Sequence, residues 1–215
     1  MSEEVFTVAE KRPAHPGMTI SRSAGLGSGK VTWFSMAAGT SISRESYDST
    51  AIYLGGAGCG ELIIGSDARA EKLLPGGIIV VPGGTLCGLE CSSDFIYTEI
   101  ITEKEITMTD MLKPGEAASL KDLISYEEGS IANLDVAHND KMKFVLMAFD
   151  EGTGLSPHRA PGDAIVTALE GKAVIGYEGK DYHVEAGQSF RFAKNGLHSV
   201  TADGKFKMSL LLVLE

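Results

Sequence analysis

Of the five histidines, two stand where the sequence passes between loop and strand. His158 follows the polar run Gly152-Thr-Gly-Leu-Ser-Pro157, shortly before the strand-like Ile165-Val-Thr-Ala-Leu169, and His198 ends a stretch that begins at Gly187 and runs through Phe190-Arg-Phe192. A neutral imidazole ligates first-row metals and exchanges a proton near neutral pH, so each suits metal binding or acid-base catalysis. Beside His158 stand Arg159, whose guanidinium fork matches an anionic substrate, and Asp163, the nearest carboxylate. A rim arginine serves equally well as a structural ion-pair donor. Phe149, Phe190, Phe192, Tyr177 and Met208 offer the aromatic and soft apolar lining of a small-molecule cavity, and at strand spacing they also suit a core. His183 falls in a hairpin-like segment where an outward position is the simpler reading, and His15 and His138 lie in polar loop contexts with no assigned role.

Composition narrows the classes of partner. With 215 residues the chain can fill one large core or two small ones. A net charge of −10 without a basic run repels a phosphate backbone and an anionic membrane. No apolar stretch approaches the ~20 residues of a spanning helix, and the acidic start Met1-Ser-Glu-Glu4 is unlike a secretory signal. The expected location is the cytoplasm. Three cysteines, Cys59, Cys87 and Cys91, form an odd set without a C-x-x-C pair, which suits a reducing compartment. No histidine close in sequence joins Cys87 and Cys91, so buried apolar roles are expected for them.

The elements that must position these groups are short strands. Pro13, Pro16 and the Gly/Ser cluster from Ser23 to Gly29 make the first thirty residues an extended lead-in without a helix. Val31–Met36, Thr50–Leu54 and Glu61–Ile64 read as strands, the last two stopped by Gly55-Gly56 and Gly65-Ser66. Met142–Phe149 reads as a central strand, Lys172–Tyr177 and Asp181–Val184 as a hairpin about Glu178-Gly179, and Phe206–Leu214 as the closing strand. Ser119–Ile124 has the cap chemistry of one helical turn, expected on the outside of the protein.

An internal repeat organises the whole. Placing Gly39 on Gly154 puts Asp48 on Asp163, Leu54 on Leu169 and Gly56 on Gly171. A second block places Gly76–Cys87 on Gly187–His198 and Phe95 on Phe206. The first half is four residues longer between the blocks, an insertion expected near Gly55–Gly60.

Gly152, His158 and Gly171 fall at the spacings of the first cupin motif, and Gly187 and His198 at the ends of the second. The sequence thus resembles the cupin family. The resemblance covers nearly all residues from about Val31 onward and implies an all-β fold of two tandem jelly-roll barrels of the RmlC-like cupin type, residues 1–113 and 114–215, with a short helical turn in the linker. It also implies that His158 and His198 meet at one barrel mouth, where cupins hold a divalent transition metal such as Zn, Fe, Mn or Ni. Ala160 and Ala164 replace the family's second histidine and its glutamate, and Ala193 and Asn195 replace the proline and glycine of the second motif. Asp163 lies one residue before the glutamate position, which in a strand turns it to the other face unless Pro161-Gly162 bends the chain. In the first half the repeat puts Ser43, Glu45, Ser49 and Cys87 at the ligand positions, a poor set for a hard divalent ion, so that barrel is expected to be structural. Arg44 repeats Arg159.

Cupins include metal-dependent dioxygenases, isomerases and decarboxylases, metal-free epimerases, storage proteins and sensory domains, so the resemblance does not choose a function. Three readings stand: a small-molecule-binding bicupin whose partly degenerate C-terminal metal site can hold a divalent ion weakly on His158 and His198, a metal enzyme completed by Asp163, His183 or water, and a metal-free acid-base enzyme using His158. The expected partner is a small-molecule ligand. The two barrels should pack about a pseudo-twofold axis, with Val5–Ile20 or Ile100–Met111 crossing to the other barrel, giving a monomer or a homodimer.

Overall fold

The computed structural model describes residues 4–27, 30–103 and 105–214, so residues 1–3 of the acidic start and residues 28–29 of the glycine-serine cluster lie outside the described residues. Among the described residues, eighteen strands make up most of the chain. In the first barrel, β1 (Thr19–Ser23), β2 (Lys30–Met36), β9 (Phe95–Ile101), β4 (Ala51–Ala57), β7 (Gly77–Val81) and β11 (Ala118–Ser119) form a six-stranded sheet in that order. It faces a four-stranded sheet of β3 (Ser41–Glu45), β8 (Cys87–Glu90), β5 (Gly60–Ile64) and β6 (Arg69–Leu73).

The second barrel repeats the plan with longer strands. β15 (Asp163–Tyr177) and β18 (Leu197–Val213) each run through both layers and fuse them into one sheet. Its path is β10 (Thr107–Met108), β12 (Ile131–His138), β13 (Met142–Phe149), β18, β15 and β16 (Lys180–Glu185), with β14 (Gly154–Arg159) on β18 and β17 (Ser189–Phe192) on β15. The two-residue turn between β15 and β16 puts Glu178 and Gly179 at φ 48° and 82°, the twist a tight hairpin requires.

Three apolar clusters follow from strand alternation. Ile79 and Val81 of β7 point into the first barrel with Tyr53, Leu62, Phe95 and Tyr97, while Ile78 and Val80 point the other way. Likewise Phe149, Phe206 and Met208 fill the second barrel, while Phe144, Leu146, Leu211 and Val213 point outward. The outward sets meet in one core that draws on both halves, so the two large sheets pack back to back and their strands are buried on both faces.

The chain exchanges its lead-in segments across this interface. Phe6 bridges Ser189 on the edge strand of the second barrel, and β11, which leads into the second barrel, pairs Ala118 with Ile78 of the first. β10 likewise lies on β12. Each lead-in continues into one helical turn: α1 (Val8–Lys11), closed by a capping box between Thr7 and Glu10, and a 3-10 turn at Leu120–Asp122. The first corrects the expectation of a helix-free lead-in, because the Thr7–Glu10 capping box stabilises a single turn ahead of the prolines. The second corrects the outside position: Leu120 and Ile124 are buried in the inter-barrel core, and Ser119 makes no side-chain cap bond.

Cross-strand partners also correct the register of the repeat. Ala51, Ile52, Tyr53 and Leu54 face Ile101, Ile100, Glu99 and Thr98, whereas Ala164, Ile165, Val166 and Thr167 face Leu212, Leu211, Leu210 and Ser209. Ala51 therefore matches Ala164, two residues from the gapless alignment. Because alternation has period two, such a shift keeps every side chain on its face and leaves the apolar pattern intact. The true glycine pair is Gly58 and Gly171, at φ 70° and 76°; a Cβ there would lie 1.9 and 2.0 Å from the carbonyl oxygens of Asp94 and Lys205. The length difference falls in the β5–β6 turn, where Gly65–Ala68 replaces Glu178-Gly179, and not at Gly55–Gly60. β4 runs on through Gly55-Gly56, because a Cβ at Gly55 would sit 2.0 Å from the Leu74 carbonyl oxygen.

Candidate functional site

His158 and His198 are direct cross-strand partners on β14 and β18, next to an irregularity between Leu155 and His158. Opposite residues of an antiparallel pair project to the same side, and the two rings lie 4.2 Å apart between centroids at 54°. Each Nδ1 lies 2.9 Å from the carbonyl oxygen two residues earlier, Ser156 for His158 and Gly196 for His198. A carbonyl can only accept, so Nδ1–H donates and Nε2 is the acceptor or ligand atom in both neutral rings. His158 is exposed, while His198 is 7 % exposed and stacked on Phe192, with centroids 4.1 Å apart at 23°. Burial, reinforced by the neighbouring His158, outweighs the Gly196 carbonyl and holds the His198 pKa below the usual imidazole range.

The surrounding residues add little to this pair. Ala164 is buried against Phe192 and Leu212, and Ala160 packs on the apolar interior, so methyl groups stand where cupins carry two further ligands. Asp163 does not complete a donor group. Its Oδ1 accepts from Lys194 N at 2.9 Å, and its Oδ2 from Gly27 N at 3.1 Å and Arg191 Nη2 at 3.2 Å. Burial works against its ionisation, but these donors outweigh it and hold the carboxyl below its ordinary range. Arg191 also donates to the carbonyls of Ala24 and Gly25, so the Asp163 carboxylate fastens the loop before β2 to the second barrel. His183 is exposed on β16 beside buried Val184, on the outer face. Among the described residues no three His, Cys, Asp or Glu side chains form a group able to hold a metal ion. Two nitrogens and two methyls are a poor fit for a resident Zn, Fe, Mn or Ni, whose protein sites normally supply three or more donors.

Arg159 donates to the Asn195 carbonyl and lies 3.7 Å from the Glu178 carboxylate, an exposed pair that braces the hairpin turn. Arg44 reaches the corresponding turn of the first barrel through the Gly65 carbonyl at 2.9 Å. Phe149, Phe190, Phe192 and Met208 are at most 1 % exposed, and Phe190 touches Tyr177, Tyr182 and Phe192 with centroids 5.5, 4.7 and 5.3 Å away. These are contacts of a filled core rather than of a lined cavity.

The first barrel holds polar groups that sequence reasoning passed over. In the corrected register Glu45 stands opposite Cys87 as His158 stands opposite His198, so Ser43 and Ser49 leave the ligand positions and Tyr47 and Ala51 take those of Ala160 and Ala164. Tyr47 reaches inward, its hydroxyl 3.5 and 3.3 Å from the two oxygens of Glu99, which is 6 % exposed. Burial raises the Glu99 pKa against those bonds, and burial with Glu99 beside it pushes Tyr47 up to about 12. Cys87, pushed up to about 11 by burial, and the partnerless Tyr97 hydroxyl complete the cluster. The available signal was a lone acid in the apolar strand Phe95–Ile101. Cys87 and Cys91 are buried and Cys59 half-buried, all three free.

A cupin-domain family model matches residues 145–214. No curated protein matches the sequence. Among solved structures, a cupin 2 conserved barrel domain protein from Leptotrichia buccalis superposes with a TM-score of 0.85 at 23 % identity, covering 99 % of this chain and 98 % of that one. A variant of salicylate 1,2-dioxygenase from Pseudoaminobacter salicylatoxidans gives 0.69 at 10 % identity over 99 % and 84 % of the two chains. The same enzyme as adducts with gentisate gives 0.67 at 11 % identity, over 99 % and 81 %. No helix among the described residues is long and apolar enough to cross a membrane.

Proposed function

We propose that the chain is a two-barrel cupin that binds a small molecule, with its site the His158–His198 pair at the mouth of the C-terminal barrel; the matched domain and the barrel fold support this reading. One observation carries the reading: two imidazoles 4.2 Å apart, each with Nδ1 committed to a backbone carbonyl, so that both Nε2 atoms are acceptors fixed in direction. Such a pair receives hydrogen-bond donors from one ligand, such as hydroxyl or amide groups, and the buried member stays neutral for that task. The ligand sits at the rim, because the interior below is filled by aromatic rings.

The likeness to salicylate 1,2-dioxygenase carries the fold and not the reaction. A resident metal is not part of this reading, since Ala160 and Ala164 supply no donors. A metal-free acid-base role for His158 is the second reading, supported by its exposed position beside a neutral neighbour. The first barrel serves as the structural partner of the second, with intramolecular pairing sufficient for a monomer. Net charge argues against nucleic acid.

The test is nitrogen-detected NMR of the imidazoles during titration with a panel of small polyols, amides and hydroxy acids. A binder that shifts the Nε2 resonances of both histidines, and loses affinity at least tenfold in both H158A and H198A, supports the reading. Binders that leave both Nε2 resonances in place, or no binder at all, refute it.

A further inference from the structure

Outside the histidine site a cavity of about 320 Å³ lies between the barrels, at the lower end of the range for small-molecule pockets. Its walls are built on the exchange described above. In the corrected register Val8 corresponds to Leu120, Leu54 to Thr167 and Thr98 to Ser209, and all six line it. Extended to the remaining walls, the register groups fourteen of the fifteen lining residues into seven such pairs, so the pseudo-twofold axis passes through the cavity. A gap left by poor packing would fall anywhere; this one is formed by equivalent residues of both halves.

Its chemistry is distinctive. Among the described residues, none that lines the cavity is charged. The apolar walls carry four hydroxyls, from Thr98, Thr167, Ser189 and Ser209. Thr167 and Ser189 satisfy one another at 2.9 Å. Ser209 is 6 % exposed, yet its side chain has no hydrogen-bond partner among the described residues, and its counterpart Thr98 has none either. Both residues line the cavity, so their hydroxyls are available to bond a polar group of a molecule held there.

We infer that this cavity on the inter-barrel axis is a second binding site, for an uncharged, mainly apolar molecule carrying a hydroxyl or amide group that bonds to Ser209 and Thr98. The absence of any lining charge excludes a carboxylate or phosphate ligand, because nothing compensates its desolvation. The site is separate from the histidine pair, none of whose residues lines it. Because both barrels contribute walls, ligand binding also ties them together and stabilises the paired arrangement by mass action.

The experiment uses amide NMR of the full chain with 1-hexanol and cyclohexanol as probes and hexanoate as the charged control. Both alcohols are expected to shift the amides of Thr98, Thr167 and Ser209 saturably, with hexanoate at least tenfold weaker. Ser209→Leu fills the cavity from one barrel and Thr98→Leu from the other; each should abolish alcohol binding while the His158 and His198 signals stay in place. Should either variant fail to fold, the wild-type comparison of alcohols with hexanoate still decides. Equal binding of hexanoate, alcohol shifts confined to the protein surface, no saturable shift at all, or unchanged alcohol binding in a folded leucine variant would overturn the inference.

Discussion

Replacing Asp163 by alanine should damage the fold and spare the histidine site. The carboxylate receives three donors, Lys194 N, Gly27 N and Arg191 Nη2, at 2.9, 3.1 and 3.2 Å. Hydrogen bonds to a charged group contribute about 1.5–3 kcal/mol each, and breaking a buried ion pair costs about 3–5 kcal/mol because the partner charge is stranded. Here the Arg191 and Asp163 side chains are 18 % and 22 % exposed, so water relieves part of that penalty. An overall loss of about 3 kcal/mol follows at neutral pH. Urea unfolding should show a lower midpoint with an unchanged slope. The pH dependence has a definite sign. The folded-state pKa of Asp163 is depressed, so its contribution is complete above the ordinary carboxylate range and disappears as pH falls through the folded value. The gap between wild type and D163A should therefore close in acid. A loss below about 1 kcal/mol, accompanied by altered Nε2 resonances of His158 and His198, would refute this reasoning and return Asp163 to the site.

Two further outcomes are expected. Glu99 has a raised pKa in the folded state, so the folded chain retains a proton that the unfolded chain releases; stability should decline as pH rises from the ordinary carboxylate range through the raised value. The variant E99Q should remove that decline, and comparison of its urea midpoint with that of wild type at acid and alkaline pH checks it. Gly171→Ala should cost at least ~2 kcal/mol, since the position combines φ 76° with a Cβ 2.0 Å from the Lys205 carbonyl oxygen, and a nearly unchanged melting temperature would contradict that close approach.

The architecture was legible because strand alternation, glycine turns and the repeat are local patterns. His158, His198 and the two alanines could likewise be read by spacing. The register of the first half was not, because a two-residue slip preserves the alternation on which the alignment relied, and only the partners of Ala51 and Ala164 distinguish the choices. The role of Asp163 depends on Gly27, more than a hundred residues away, and no local signal reports such a contact. Phe149, Phe190, Phe192 and Met208 illustrate a related limit: core and cavity lining share one sequence pattern, and they differ only in whether the facing side chains fill the space. The exchange of Phe6 and Ala118 between barrels follows from the repeat once each lead-in is seen to precede its barrel at an equivalent place.

The central claim is that the C-terminal mouth presents two fixed imidazoles without the donors of a metal cage. The most direct test is elemental analysis of untagged protein after loading with Zn, Fe, Mn or Ni and dialysis against a competing chelator. The account predicts retention far below one ion per chain, unchanged in H158A and H198A. One tightly held ion per chain, lost in either variant, would contradict it.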